Sequence, residues 1–483
     1  MIEQPASRSA PLRLLADQAF SRTAGAPLVG GNQVRLLKDA AENFPAWLDA
    51  IRSAERSIFF ESYIVGEDAT GREFRDALTA KARAGVRVRV LHDWLGSPGK
   101  LVPGFWRPLV AAGAAVRAFN PPRFDSPLGW LSRDHRKSLC VDGRVAYVSG
   151  LCVAAAWYGD PAAGKEPWRD TGIEIRGPGV ADVERAFAQV WAATGVQLGN
   201  DELTDPASIA PAGDVLLRVV ASAPATAGLM RLDQLIASIA RLRLWLTDAY
   251  FVPLPAYVQA LCAASRDGVD VRLLVPGASD IPIISPLSRS AYRPLLEAGV
   301  RVFEWNGTML HAKTAVADGR WARVGSTNLN LASFIGNYEL DVAVEDAGFA
   351  AAMERQYRDD LMHATEIVLQ RRRRSLRPVP AEVGRSRPRR APSGSAGRVA
   401  AGAVRFGSAV GAAITRPREL LHQDGKIMGG AAAVLLVLAA VGIAWPKAIA
   451  WPLAAVALWF ALAFLIRAWR GRRDARRSPQ AGS

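Results

Sequence analysis

Apolar and polar positions along the chain fall into two matching rounds. The first runs from a helix-spaced segment at 44–54 to an apolar strand at 57–65, a helix near 72–84 and a strand at 85–91. The second repeats the order with a helix at 233–240, a strand at 243–252, a helix at 255–266 and a strand at 268–275. The stretches GVRVRVL, from Gly85, and GVDVRLL, from Gly268, hold the same place in each round. So do Glu61-Ser62-Tyr63 and Asp248-Ala249-Tyr250, and then AAGAAVRAF from Ala111 and EAGVRVFEW from Glu297. Strands alternating with helices predict an α/β architecture with a parallel or mixed sheet in each half. The expected divisions are an N-terminal segment 1–29, a first half 30–205 and a second half 206–370. Residues 121–134 and 282–286 read as loops.

Beyond 370 the pattern changes. Residues 427–445 are 19 positions without a charge, Pro446 and Lys447 follow, and 448–466 are 19 more. At about 1.5 Å per residue each stretch can cross a hydrocarbon core of about 30 Å. The expectation is a transmembrane helical hairpin over 427–466, with Trp445, Trp451 and Trp459 as interface anchors. Arginines flank it on both outer sides, from Arg371 to Arg418 before and from Arg467 to Arg477 after, while the turn holds only Lys447. That asymmetry predicts both ends on the cytoplasmic side. The first 25 residues carry scattered charges and no long apolar run, so no secretory signal is expected and the body should stay where it is made.

Charge sharpens this division. The 483 residues include 60 Lys and Arg against 45 Asp and Glu, a net +15. Residues 371–483 hold 21 of the basic groups and 4 of the acidic ones, so the first 370 are near neutral with 39 against 41. A uniformly basic nucleic-acid-binding surface is not supported. Segment 371–426 reads as a flexible polybasic linker, and 467–483 as a basic tail, both suited to anionic lipid. Half the residues are apolar, which excludes a disordered chain, and Cys140, Cys152 and Cys262 have neither zinc-site nor disulfide spacing.

Each half ends in one motif. His135-Arg136-Lys137 leads to Asp142-Gly143-Arg144, and His311-Ala312-Lys313 leads to Asp318-Gly319-Arg320. Two of the five histidines and two of the eight lysines fall in these pairs. At i and i+2 on a strand, an imidazole and an ammonium project from one face. The Asp-Gly-Arg segments read as tight hairpin turns, so Asp142 and Asp318 are either turn supports or direct participants. Two imidazoles and two ammonium groups suit attack on a phosphodiester. One histidine attacks phosphorus to form a phosphohistidine, the other shuttles the proton, and the lysines neutralise the non-bridging oxygens. This chemistry needs no metal or other cofactor, and no metal-binding motif is present.

The duplicated motif resembles the phospholipase D superfamily over about residues 30–370, and within it the bacterial cardiolipin synthases. Phe60-Glu61-Ser62-Tyr63-Ile64, Trp168-Arg169-Asp170-Thr171 and the run from Leu329 to Phe334 carry the narrower likeness. The resemblance implies two similar α/β halves about a pseudo-two-fold axis with one active site between them. It implies catalytic roles for His135, Lys137, Asp142, His311, Lys313 and Asp318, with His135 the nucleophile and His311 the acid/base. It also implies substrate-binding or orienting roles for Ser326 and Asn328, and histidine-orienting roles for Asp170 and Glu339. Cys152 stands where that family has Asn in the first half, which puts one phosphate contact in doubt. The implied reaction is phosphatidyl transfer at the inner membrane, with anionic phosphatidylglycerol as substrate and nucleic acid not a partner. Hydrolysis by a phospholipase D-type enzyme, and phosphodiesterase or nuclease action, are the alternatives. The resemblance leaves the oligomeric state open.

Overall fold

The computed structural model describes residues 18–97, 104–122, 131–160, 164–199, 201–369 and scattered helical positions between 451 and 466. One compact unit holds both halves, from the N-terminal segment through residue 369 except for 120–132. Its first half contains β1 (Val29–Lys38), α2 (Asp39–Ser53), β2 (Ser57–Ser62), α3 (Ala69–Arg83), β3 (Arg87–Asp93), α4 (Arg107–Ala111), β4 (Ala115–Phe119), β5 (Lys137–Val141), β6 (Val145–Ser149), α5 (Ala155–Tyr158), β7 (Thr171–Arg176) and α6 (Gly179–Ala193). Its second half contains β8 (Val215–Ser222), α7 (Gly228–Ile239), β9 (Arg243–Thr247), α8 (Pro255–Arg266), β10 (Asp270–Pro276), α9 (Ile284–Ser290), α10 (Tyr292–Glu297), β11 (Arg301–Trp305), β12 (Thr314–Ala317), β13 (Trp321–Gly325), β14 (Glu339–Glu345), α11 (Ala347–Leu361) and β15 (Ala364–Ile367).

The strands form one sheet in the order β15-β11-β10-β9-β12-β13-β14-β8-β1-β7-β6-β5-β2-β3-β4. Reading outward from the β1–β8 seam, the two halves share one strand sequence over seven strands each, and β15 adds an eighth at the edge of the second half. Within each half three strands run parallel, β2-β3-β4 and β9-β10-β11, and the rest pair antiparallel. This is the expected mixed sheet. The seam is short, with Val29 opposite Leu217 and Asn32 opposite Val215 across an irregularity in register.

Local chemistry sets the element ends. The β2 strand, SIFFES, is buried at all six positions and sits between β3 and β5, which suits a central strand. The apolar run predicted through 65 stops at Ser62, whose hydroxyl donates to the Ile64 carbonyl at 2.7 Å and turns the chain. Helix α3 starts at Ala69, earlier than the pattern indicated, because the Asp68 side chain accepts from Gly71 N at 3.0 Å as an N-cap. Residues 282–286, read as a loop, enter α9 at Ile284; Pro286 falls in its first turn, where a missing N–H costs little.

Three large apolar clusters fill most of the unit. One lies under α2 and α3 in the first half, and one under α7 and α8 in the second. The third is shared: Phe187 and Trp191 of α6 and Phe349, Met353 and Tyr357 of α11 pack with strands from both halves. The N-terminal segment is less separate than expected. Residues 18–24 are helical (α1), and Ala24 and Ala26 are buried in the second-half cluster beside Val220 and Leu229.

A second unit comprises 120–132 and the chain from 410 onward. In it, Asn120 Nδ2 donates to the Ser132 carbonyl at 2.9 Å. The expected span at 427–445, the linker and the basic tail lie outside the described residues, as does 123–130. Of the expected span 448–466, Trp451, Ala454, Ala455, Leu458, Trp459, Ala461, Leu462, Leu465 and Ile466 are described, as helical positions. Among the described residues no helix is long and apolar enough to cross a membrane.

Candidate active site

The histidines lie just before two matching strands. His135 precedes β5, which begins at Lys137, and His311 and Lys313 precede β12. In both places the chain crosses to the other half. His135 N donates to the Tyr338 carbonyl at 2.9 Å, and His311 N donates to the Arg169 carbonyl at 2.7 Å. Single bridges, Asp134 with Tyr338 and Arg169 with Leu310, complete these crossings. Each histidine therefore enters the site alongside the carboxylate segment of the opposite half.

The carboxylates follow from that crossing. His135 Nδ1 lies 2.9 Å from Glu339 Oε2, and His311 Nδ1 lies 2.7 Å from Asp170 Oδ2. Both carboxylates are fully buried. Ser326 Oγ donates to Glu339 Oε2 at 2.5 Å, and the Ser326 carbonyl lies 3.1 Å from His135 Nδ1. Trp157 Nε1 donates to Asp170 Oδ2 at 2.9 Å, and Thr171 N donates to Asp170 Oδ1 at 2.8 Å. Gly150 makes room: a Cβ there would lie 2.1 Å from Asp170 Oδ1. Arginines fix the backbone of both carboxylate residues, Arg136 through the Glu339 carbonyl at 3.0 Å and Arg169 through the Asp170 carbonyl. A carboxylate on Nδ1 holds the proton there and turns Nε2 outward as the reactive atom.

The two pairs form a single electrostatic cluster. Burial lowers the Lys137 ammonium pKa, although Cys152, Glu339, Asp134 and Asp170 pull it up. Burial also lowers Lys313, to about 8, with Asp170 opposing and Lys137 adding repulsion. His311 is pushed down to about 3 by burial and by Lys313, against the pull of Asp170. Burial raises Asp170, but His311 and Lys313 outweigh it and hold that carboxyl at about 2. Burial raises Glu339 in spite of Lys137. Lys313 Nζ sits 2.9 Å from His311 Nδ1 and donates to the His311 carbonyl; Lys137 Nζ donates to the His135 carbonyl. Asn328 is buried, and its Oδ1 has no hydrogen-bond partner among the described residues.

Asp142 and Asp318 are elsewhere in the hydrogen-bond network. Asp142 accepts from Glu55 N, Arg56 N and Ser57 N at 2.8, 2.7 and 2.8 Å. Asp318 accepts from Arg241 N, Leu242 N and Arg243 N at 2.9, 2.8 and 2.9 Å. Both lie in turns with two successive positive φ values, Asp142 and Gly143 at 55° and 68°, Asp318 and Gly319 at 51° and 65°. Each ties a hairpin turn to the start of the neighbouring strand. Burial raises Asp318, and the three N–H donors outweigh it and hold that carboxyl low.

The motifs did not single out the aromatic lining. Tyr63 meets His135 edge-on at 4.9 Å between ring centroids, and Tyr250 meets His311 at 5.8 Å. Lys137 and Lys313 lie over the same two rings at 5.1 and 5.9 Å. Trp157 and Trp168 flank His311 at 5.1 and 5.7 Å. The repeated Glu-Ser-Tyr and Asp-Ala-Tyr were the signal for the tyrosines; nothing repeated marks Trp157.

A family model described as "Cardiolipin synthase, PLD-like domain" matches residues 47–154 and 232–361, which include both His-x-Lys pairs. Among relatives, the cardiolipin synthase of Alkalihalophilus pseudofirmus is 32% identical over 349 residues, covering 71% of this chain and 68% of that protein. Cardiolipin synthase A of Pseudomonas syringae pv. syringae is 34% identical over 366 residues, covering 73% of each. Among solved structures, phosphatidylserine synthase of Haemophilus influenzae superposes with a TM-score of 0.59 at 14% identity, over 72% of this chain and 91% of that one. That likeness is one of fold.

Proposed function

The chain belongs to the cardiolipin synthase family and is a phospholipid phosphatidyltransferase, and we propose that it condenses two phosphatidylglycerol molecules into cardiolipin and glycerol. In this reading His135 Nε2 attacks phosphorus, and the bond to the headgroup glycerol oxygen breaks. His311 gives its proton to that oxygen, and glycerol leaves a phosphatidyl-histidine. A second phosphatidylglycerol then loses a hydroxyl proton to His311 and attacks the same phosphorus. The P–N bond breaks and both imidazoles are restored. Lys137 and Lys313 take the charge on the non-bridging oxygens, and Asn328 supplies an amide beside them. The anionic phosphodiester offsets the lysines as it arrives, so His311 can gain the proton that it lacks in the free enzyme. No step draws on a metal.

The single observation that carries the reading is the crossed pairing, in which each histidine Nδ1 is held by a buried carboxylate from the other half. Such pairing engages Nδ1 of both imidazoles and leaves Nε2 for the reaction, in one cluster with two lysines. The stretches 427–445 and 448–466 are proposed as a hairpin anchoring the body on the cytoplasmic face, where phosphatidylglycerol is available.

The test is a product assay on the full chain in detergent, with labelled phosphatidylglycerol and a chelator. Cardiolipin and glycerol in equal amounts are expected, and His135→Ala or His311→Ala lowers the rate at least about 1000-fold. Phosphatidic acid alone means that water is the acceptor and overturns the transfer reading.

A further inference from the structure

Asp280 lies in the segment that follows β10, one aromatic ring away from His311. Tyr250 Oη donates to Asp280 Oδ1 at 2.8 Å, and the same Tyr250 ring stands edge-on to His311. The ring is fixed from its backbone side, since Tyr250 N donates to Asp248 Oδ2 at 3.1 Å and Asn330 Nδ2 donates to the Tyr250 carbonyl at 3.1 Å. Asp280 itself is half-buried. Besides Tyr250 its contact is Ser279 Oγ, at 3.5 Å from Oδ1. Among the described residues it makes no ion pair, and no hydrogen bond reaches Oδ2. Ile281, Ile284 and Met309 form an apolar cluster with Tyr250, and Trp168, Val252 and Ile283 are partly buried against it.

Among the described residues the other half has no such group at the matching position. Asp280 follows Gly268 by 12 residues, and the residue 12 after Gly85 is Ser97. Ser97 is buried, and its Oγ accepts from Val65 N at 3.1 Å. The two halves thus present a free carboxylate oxygen on one side and an occupied neutral hydroxyl on the other. A carboxylate repels a phosphodiester, so Asp280 does not hold the phosphate, which the lysines hold. An ionised carboxylate only accepts hydrogen bonds, and the headgroup of an attacking phosphatidylglycerol offers hydroxyl donors.

We propose that Asp280, positioned by Tyr250, binds the glycerol hydroxyls of the acceptor lipid and so makes the second-half side the acceptor seat. The inference rests on the phosphatidyl-transfer reading and adds which side takes the acceptor and by which group. A charge-assisted hydrogen bond at this point favours the lipid hydroxyl over water without contributing to phosphate binding.

The experiment uses the full chain in mixed micelles of phosphatidylglycerol, then with phosphatidylethanolamine added, and reads cardiolipin against phosphatidic acid. Asp280→Asn and Tyr250→Phe are expected to lower the cardiolipin-to-phosphatidic-acid ratio about tenfold or more, with partial recovery in Asp280→Glu. Two positions on different elements guard against one variant failing to fold. An unchanged ratio, or both products falling together in Asp280→Asn and Tyr250→Phe alike, overturns the assignment. Loss confined to products that consume phosphatidylethanolamine also overturns it, since the carboxylate then serves an ammonium headgroup. A wild-type protein that turns over no lipid overturns the transfer reading itself, and the acceptor assignment goes with it.

Discussion

Lys313 is the side chain whose charge is most nearly in balance. Burial and the neighbouring Lys137 favour the neutral amine, Asp170 favours the ammonium, and the outcome is about 8 against an ordinary 10.5. Below that pH the ammonium is present for the role proposed for it, stabilising charge on the phosphoryl oxygens; above it the charge is lost. His311 has its inflection near 3, below the working range, so its need for a proton adds a uniform slope there and no break. We therefore expect the fall of kcat/KM for phosphatidylglycerol with pH to steepen by about a further tenfold per unit above about 8. The limb in kcat should lie higher, because the bound phosphodiester stabilises the ammonium. Lys313→Arg should remove this limb while lowering the maximal rate, since a guanidinium stays charged across the range. A steady-state series from pH 6 to 10 checks this, and a limb that stays near 8 in Lys313→Arg assigns it to another group.

The hairpins β5–β6 and β12–β13 show how one motif divides its labour between elements. The His and Lys ends meet the opposite half, while the Asp-Gly ends bind the backbone entering β2 and β9. Removing the Asp142 carboxylate strands three N–H donors, so Asp142→Ala should cost about 2–3 kcal/mol of stability in a chemical unfolding experiment. Activity per folded molecule should stay within about twofold, because among the described residues no hydrogen bond links Asp142 to the histidines. The same division explains what the sequence made legible. The repeat, the strand and helix order, the hairpin turns and the four His and Lys positions all follow from local pattern at fixed offsets. Asp170 and Glu339 were reachable only through family likeness, and the exchange of partners between halves has no local signal. His135 with Glu339 is a separation of 204 residues, and His311 with Asp170 one of 141. Trp157 likewise acts through a fold contact, its indole N–H on Asp170, that periodicity cannot express. The packing of Ala24 and Ala26 into the second half is of the same kind.

For the whole molecule the question is how a near-neutral catalytic body reaches an anionic lipid surface. The body has its own shared core across a continuous sheet, so its folding does not call on the charge of the C-terminal region. The first 370 residues carry 39 basic and 41 acidic groups, and long-range attraction to anionic headgroups is absent there. Residues 371–483 carry 21 basic groups against 4 acidic, next to the two uncharged stretches. Each arginine near such a surface adds about 1 kcal/mol of attraction, within a Debye length of about 8–10 Å. A chain ending at 370 should therefore still convert phosphatidylglycerol in detergent micelles, where diffusion delivers the lipid. It should lose sedimentation with phosphatidylglycerol vesicles, which the full chain keeps. Replacing the arginines of 371–418 by glutamine in the full chain separates charge from insertion. If 427–466 insert, that variant stays on vesicles in high salt; release by salt assigns attachment to charge alone. Micelle activity that disappears with the truncation would instead make the C-terminal region part of the catalytic fold.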